Sequence, residues 1–160
     1  MTDDPTRTPG RWDALFAHLT EMNSQIEALY ARHGADGIRP RFVRPLVRLA
    51  HDGPMTISDL ARSLAATHSA TSQTVTAMKK ADLVAAEPGP DARTQVVALT
   101  ERATALVPLL EAEWRATDAV VARLDDELDG AVTHLTEGLT RRFDHRTMAE
   151  RLDDAIRRQP

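Results

Sequence analysis

At 160 residues the chain is long enough for one domain with a real core and too short for several. It contains no cysteine, which excludes disulfides, thiolate metal sites and thiol-based redox sensing. With 20 Lys+Arg against 24 Asp+Glu, the net charge of −4 lacks the basic excess of most nucleic-acid binders, so any such role must rest on local charge distribution.

Residues 1–10 are polar with two prolines and are expected to form a disordered arm. From Arg11 to His33 the apolar positions Trp12, Leu15, Phe16, Leu19, Met22, Ile26, Leu29 and Tyr30 keep helical spacing, and Gly34 is a natural stop. A second helix is expected over Arg41–His51, closed by Asp52-Gly53-Pro54. Pro45 falls inside it, so the helix either starts near that residue or kinks there. The N-terminal helices thus occupy 11–53.

Between Met55 and Thr100 the pattern changes. Thr56 precedes the stripe Ile57, Leu60, Ala61 and Leu64, with Asp59 three residues on, which predicts a short capped helix. Ala65-Ala66 leads to Thr67, a second N-cap. In the helix that follows, Ala70, Thr71, Val75 and Met78 are assigned to an inner face. His68, Ser69, Ser72, Gln73 and Thr76 point outward. Lys79 and Lys80 close the helix, where cations suit its dipole and can reach a phosphate. Leu83-Val84 begins a strand, Pro88-Gly89-Pro90-Asp91 turns it, and Val96, Val97 and Leu99 return it.

Two short helices followed by a hairpin describe a winged helix-turn-helix over 54–100, which places its second helix in the DNA major groove. Serine and threonine are mediocre helix formers, so a face rich in them is poorly explained by solubility alone. Small side chains let a helix approach base edges closely, and Gln73 carries the donor–acceptor pair that suits adenine. Acids cluster away from this segment, at Asp125-Asp126-Glu127-Asp129 and Asp153-Asp154, whereas Arg39, Arg41, Arg44 and Arg48 crowd its approach.

After the hairpin, Thr100 caps a long helix carrying Ala103, Leu106, Val107, Leu110, Trp114, Val121 and Leu124, interrupted by Pro108. Asp125-Asp126 marks a break. Leu128, Val132, Leu135 and Leu139 continue as another helix, and Met148, Leu152 and Ile156 form a last stripe. A winged helix of about 45 residues cannot cover the apolar stripes of both terminal helical regions. The economical solution is a homodimer in which the helices of 11–53 and 101–160 intertwine, setting two recognition helices about 34 Å apart before an inverted repeat. The expected fold is mainly α with a small β-hairpin wing, a winged helix-turn-helix flanked by long N- and C-terminal dimerisation helices.

The chain resembles the MarR (multiple antibiotic resistance regulator) family of bacterial transcription factors from Arg11 to about Arg142. The resemblance rests on Leu60-Ala61, Thr67-His68-Ser69-Ala70, Met78, Leu83-Val84, Asp91-Ala92-Arg93 and Val97-Ala98-Leu99-Thr100-Glu101. Asp91 keeps the family's spacing of eight residues to the Leu99-Thr100 pair, and Arg93 matches the second arginine of the wing signature. Ala92 stands where the first is common. The resemblance implies that Arg93 approaches the minor groove, that Asp91 helps hold it, and that Thr67–Lys80 is the recognition helix. The DNA-contact set is then Thr67, His68, Ser69, Ser72, Gln73, Thr76, Lys79, Lys80, Asp91 and Arg93.

Many members of the family are repressors released by small aromatic or phenolic molecules held between the dimer helices and the winged domain. The resemblance implies such an effector, with Trp12, Phe16, His18, Phe42, His51 and Trp114 as candidate lining residues. An aromatic residue at helical spacing is more often core. The six histidines contain no His-x3-His pair, so no metal is expected. No Gly-rich phosphate loop, nucleophile elbow or HExxH is present, so neither an enzyme nor a cofactor is expected. No apolar run reaches bilayer length and no signal peptide is evident, which predicts a cytoplasmic protein without a membrane partner. The expected function is a homodimeric repressor binding double-stranded DNA at a pseudo-palindromic operator. The alternative is a dimeric winged-helix interaction module that binds a protein or small molecule and has little DNA affinity.

Overall fold

The computed structural model describes residues 4–89 and 95–158. They contain seven α-helices and one hairpin: α1 Asp13–Arg32, α2 Pro40–Asp52, α3 Ile57–Ser63, α4 His68–Lys80, β1 Val84–Pro88, β2 Gln95–Leu99, α5 Glu101–Glu127, α6 Ala131–His145 and α7 Met148–Arg157. A single 3-10 turn, Pro5–Arg7, precedes them. The chain divides into two compact units, Met1–Ala112 and Glu113–Pro160.

In the first unit the core gathers Tyr30 of α1, Phe42, Val43, Leu46 and Leu49 of α2, Leu60 of α3, Val75 and Met78 of α4, Val84 and Val97 of the hairpin, and Ala103 and Leu110 of α5. Leu83, fully buried between α4 and β1, joins the end of α4 to this core. The N-terminal half of α1 contributes nothing to it. Phe16 there and Trp12, the residue just before α1, are 61% and 43% exposed.

α2 starts at Pro40, not near Pro45. Arg39 is extended, as a residue before proline prefers, and Pro40 occupies the first helical position, where its missing N–H costs nothing. Pro45 is carried inside the helix on its buried face, beside Phe42, Val43, Leu46 and Leu49. Apolar burial there offsets the lost hydrogen bond to the Arg41 carbonyl.

Four helices end on the same device. In the Schellman arrangement two amides past the helix satisfy orphan carbonyls, and the residue between adopts a left-handed conformation. Ala35 N–H reaches the Tyr30 carbonyl, Ala66 reaches Ala61, Leu83 reaches Met78 and Gly130 reaches Asp125, at 2.8–3.0 Å. The left-handed positions are Gly34, Ala65, Asp82 and Asp129. Only one of the four is glycine. Ala65 is the strained case, because at φ +52° its Cβ crowds the backbone and it has no polar side chain to compensate.

The hairpin is antiparallel with Val84 opposite Leu99 and Pro88 opposite Gln95. Met55 adds a one-residue third strand, exchanging both backbone hydrogen bonds with Val97 at 2.8 and 3.2 Å. Thr100 then caps α5, accepting from Ala103 N–H at 3.2 Å. α5 runs unbroken through Pro108 to Glu127.

In the second unit Asp125 restarts the chain after α5. Its carboxylate accepts from Val132 N–H at 2.8 Å and from the Thr133 amide and hydroxyl. α7 opens on a capping box in which Thr147 and Glu150 satisfy each other's backbone. No helix among the described residues is long and apolar enough to cross a membrane.

Candidate nucleic-acid interface

The two N-caps that frame α3 and α4 form as the sequence predicts. Thr56 Oγ1 accepts from Asp59 N–H at 3.1 Å, and Thr67 Oγ1 accepts from Ala70 N–H at 3.2 Å. Thr56 also donates to the Asp59 carboxylate at 2.7 Å, and Arg62 meets the same group at 2.7 Å. The Thr56 hydroxyl first, then Arg62, hold the Asp59 carboxyl below its ordinary range. Arg62 is therefore neutralised before any partner arrives.

α4 buries Thr71, Val75 and Met78, and leaves His68, Ser69, Gln73, Thr76, Lys79 and Lys80 exposed. Ser72 is half-buried at the edge of that face. Ala70 departs from its expected inward placement and is exposed. It stands about 100° around the helix from Thr71, enough to carry it to the rim of the buried face. Thr76 Oγ1 donates to the Ser72 carbonyl at 2.9 Å, so its hydroxyl proton is used and its lone pairs and methyl face outward. Ser69 and Gln73 make no side-chain hydrogen bond among the described residues and keep their full donor and acceptor capacity. Asp91 and Arg93, assigned to the wing, lie outside the described residues.

Beside α4, the side of α2 carries two arginines. Arg41 and Arg44 line a cleft of about 270 Å³ together with Ala66, Ala70 and Thr74 and with Leu60, Val75 and Met78. Arg44 Nη2 donates to the Leu64 carbonyl at the end of α3, at 3.4 Å. A cation suits that position, because carbonyls at a helix C-terminus carry partial negative charge. Arg48, one turn on, is paired with Asp52 at 3.4 Å.

The end of α4 is held by Arg102, to which the sequence reading gave no role, and by Thr100, which it assigned only as the cap of α5. Arg102 donates to the carbonyls of Ala81 and Asp36. Thr100 Oγ1 donates to the Asp82 carbonyl at 2.9 Å. Both links span long sequence separations, so no local pattern announced them.

The residues proposed to line an effector site are placed as follows. Trp12, Phe16 and His18 are exposed on or just before α1, and Phe42 is 1% exposed within the core. His51 is exposed, its Nε2 2.6 Å from Glu111 Oε1. Trp114, in the second unit, is 50% exposed. Among the described residues, no group of three histidines, aspartates or glutamates is placed to hold a metal.

No family model and no curated protein matches the sequence. Solved structures match the fold. The S. aureus MepR–DNA complex superposes with a TM-score of 0.59 at 19% identity, covering 82% of this chain and 98% of that one. A MarR protein from Peptoclostridium difficile gives 0.56 at 17% identity, with 93% and 97% covered. A probable transcriptional regulator from Pseudomonas aeruginosa gives 0.52 at 25% identity, with 73% and 92% covered. The chain therefore has the winged helix-turn-helix fold shared by MarR-type regulators.

Proposed function

We propose that this chain is a homodimeric, MarR-type transcription repressor that reads a pseudo-palindromic operator with α4 and is relieved by a small aromatic ligand. In this reading 54–100 is the DNA-binding segment, and 11–53 and 101–160 supply scaffold and dimer contacts. The observation that carries it is the outer face of α4: a capped start, four exposed polar residues of which Ser69 and Thr76 are short, and two lysines at the end. Short side chains bring a helix close to base edges, and lysines at its exit meet phosphate. Dimerisation is supported by apolar residues that one chain leaves in water, among them Phe16 at 61%, Leu128 at 55% and Ile156 at 64% exposed.

Paired substitutions test the reading. Gln73→Ala is expected to relax preference at one base position per half-site, a loss of about 1–3 kcal/mol at the cognate base. Arg93→Ala is expected to weaken binding across all sequences. If both substitutions lower affinity equally for every duplex, α4 does not read bases.

A further inference from the structure

We infer that Arg41 and Arg44 on α2 form a phosphate-binding edge beside α4, and that this edge supplies electrostatic affinity absent from the chain's overall charge. The inference rests on the DNA-binding reading and extends it to residues outside the helix-turn-helix.

Both side chains are exposed, and neither guanidinium lies within ion-pair distance of a carboxylate among the described residues. That sets them apart from Arg48 and Arg62, which Asp52 and Asp59 neutralise. Arg44 is anchored through one nitrogen to the Leu64 carbonyl, at the turn that leads into α4. Only one of its five N–H donors is used there, so the remaining fork is available to an anion. Arg41 lies over the Phe42 ring with its guanidinium carbon 5.4 Å from the centroid, which fixes the stem without consuming the charge.

Position then selects the anion. The arginines share the cleft with the small stripe Ala66, Ala70 and Thr74. That stripe borders the outer face carrying Ser69 and Gln73, so the arginines flank the surface proposed to enter the groove. A helix about 10–12 Å across fills a major groove about 12 Å wide, so the sugar-phosphate strands run along its flanks. The helix preceding a recognition helix also crosses the backbone there. The occupant is the DNA phosphodiester backbone. A near-neutral helix-turn-helix would then gain affinity from cations outside it.

The test is the salt dependence of duplex binding for the full chain, followed by fluorescence anisotropy with a random-sequence duplex and with DNA from upstream of its own gene. Each of Arg41→Gln and Arg44→Gln removes two phosphate contacts from the proposed homodimer and is expected to reduce the slope of log affinity against log salt by about 1.8, and the double variant by about twice that. The ratio of affinities for the two duplexes should not change, because phosphate carries no sequence. Arg44→Lys should keep the slope, and Arg48→Gln should leave it unchanged. If Arg44→Gln lowers thermal stability, Arg41→Gln alone decides. A double variant with the wild-type slope overturns the assignment while leaving DNA binding intact. A wild-type chain that binds neither duplex at low salt overturns the DNA reading itself, and this edge with it.

Discussion

The Arg102 guanidinium donates to the Ala81 carbonyl at 2.6 Å, fastening the C-cap of α4 to the first turn of α5. Its other terminal nitrogen donates to the Asp36 carbonyl between α1 and α2. One side chain therefore joins three segments remote in sequence, and it does so at the C-terminal end of the helix that would lie in the groove. A hydrogen bond with a charged partner contributes about 1.5–3 kcal/mol net. Arg102→Met keeps the aliphatic stem and removes both donors, and is expected to lower unfolding free energy by about 2–4 kcal/mol. Denaturant titration checks the magnitude. A loss below about 0.5 kcal/mol, the usual range of surface substitutions, would show that the clasp carries nothing.

Ala65 gives the opposite sign. Its left-handed conformation at φ +52° costs an alanine about 1 kcal/mol or more, a penalty glycine does not incur. Ala65→Gly is therefore expected to stabilise the folded state by up to about 1 kcal/mol, less what glycine gains in unfolded-chain freedom. Gly34→Ala, at φ +74°, is expected to destabilise by about 1 kcal/mol. Thermal unfolding of the pair tests both, and a common sign would contradict the account.

Acid should unfold the C-terminal helices through their caps. Hydrogen bonds hold Asp125 below its ordinary 3.8, first from the Thr133 hydroxyl and then from backbone N–H groups. Glu150 lies below its ordinary 4.5, first through the Thr147 amide and then its hydroxyl. A carboxylate with a depressed folded-state pKa contributes stability that is present above the unfolded value. That contribution is lost as pH falls through the folded one. The midpoint temperature should therefore fall on acidification below about pH 4.5 and keep falling below about 3.8. Asp125→Asn with Glu150→Gln keeps acceptors in place and removes both titrations, so its midpoint should fall less over that window. An unchanged acid dependence would remove the caps from the explanation.

Phe16 and Ile156 are 61% and 64% exposed, and the proposed homodimer would cover them. Sedimentation at micromolar concentration should give the mass of two chains. Phe16→Glu should raise the dimer dissociation constant at least tenfold, about 1.4 kcal/mol. A wild-type chain that sediments as a monomer would contradict the dimer.

What the sequence made legible was local. Thr56, Thr67 and Thr100 cap helices where their spacing predicts. The Thr147-x-x-Glu150 box had an equally readable signature that the reading did not use. What stayed hidden depended on tertiary context. Pro45 is tolerated inside α2 because its ring is buried, and a single residue such as Met55 cannot announce a bridge to Val97. Ala65 is left-handed only because Ala61 and Arg62 offer carbonyls to the turn. Of the candidate interface, the outer face of α4 was legible from period 3.6 except for Ala70, which is exposed, and Ser72, which is half-buried. That no carboxylate among the described residues lies within ion-pair distance of Arg41 or Arg44 required coordinates.

The most direct test of the central claim is fluorescence anisotropy of the wild-type chain on DNA from upstream of its own gene. Binding is challenged with excess unlabelled random duplex and then titrated with salt. The account predicts a complex that survives the competitor and weakens as salt rises. Displacement by random duplex as readily as by the cognate fragment, or no binding at low salt, would contradict it and favour a winged-helix module that binds something other than DNA.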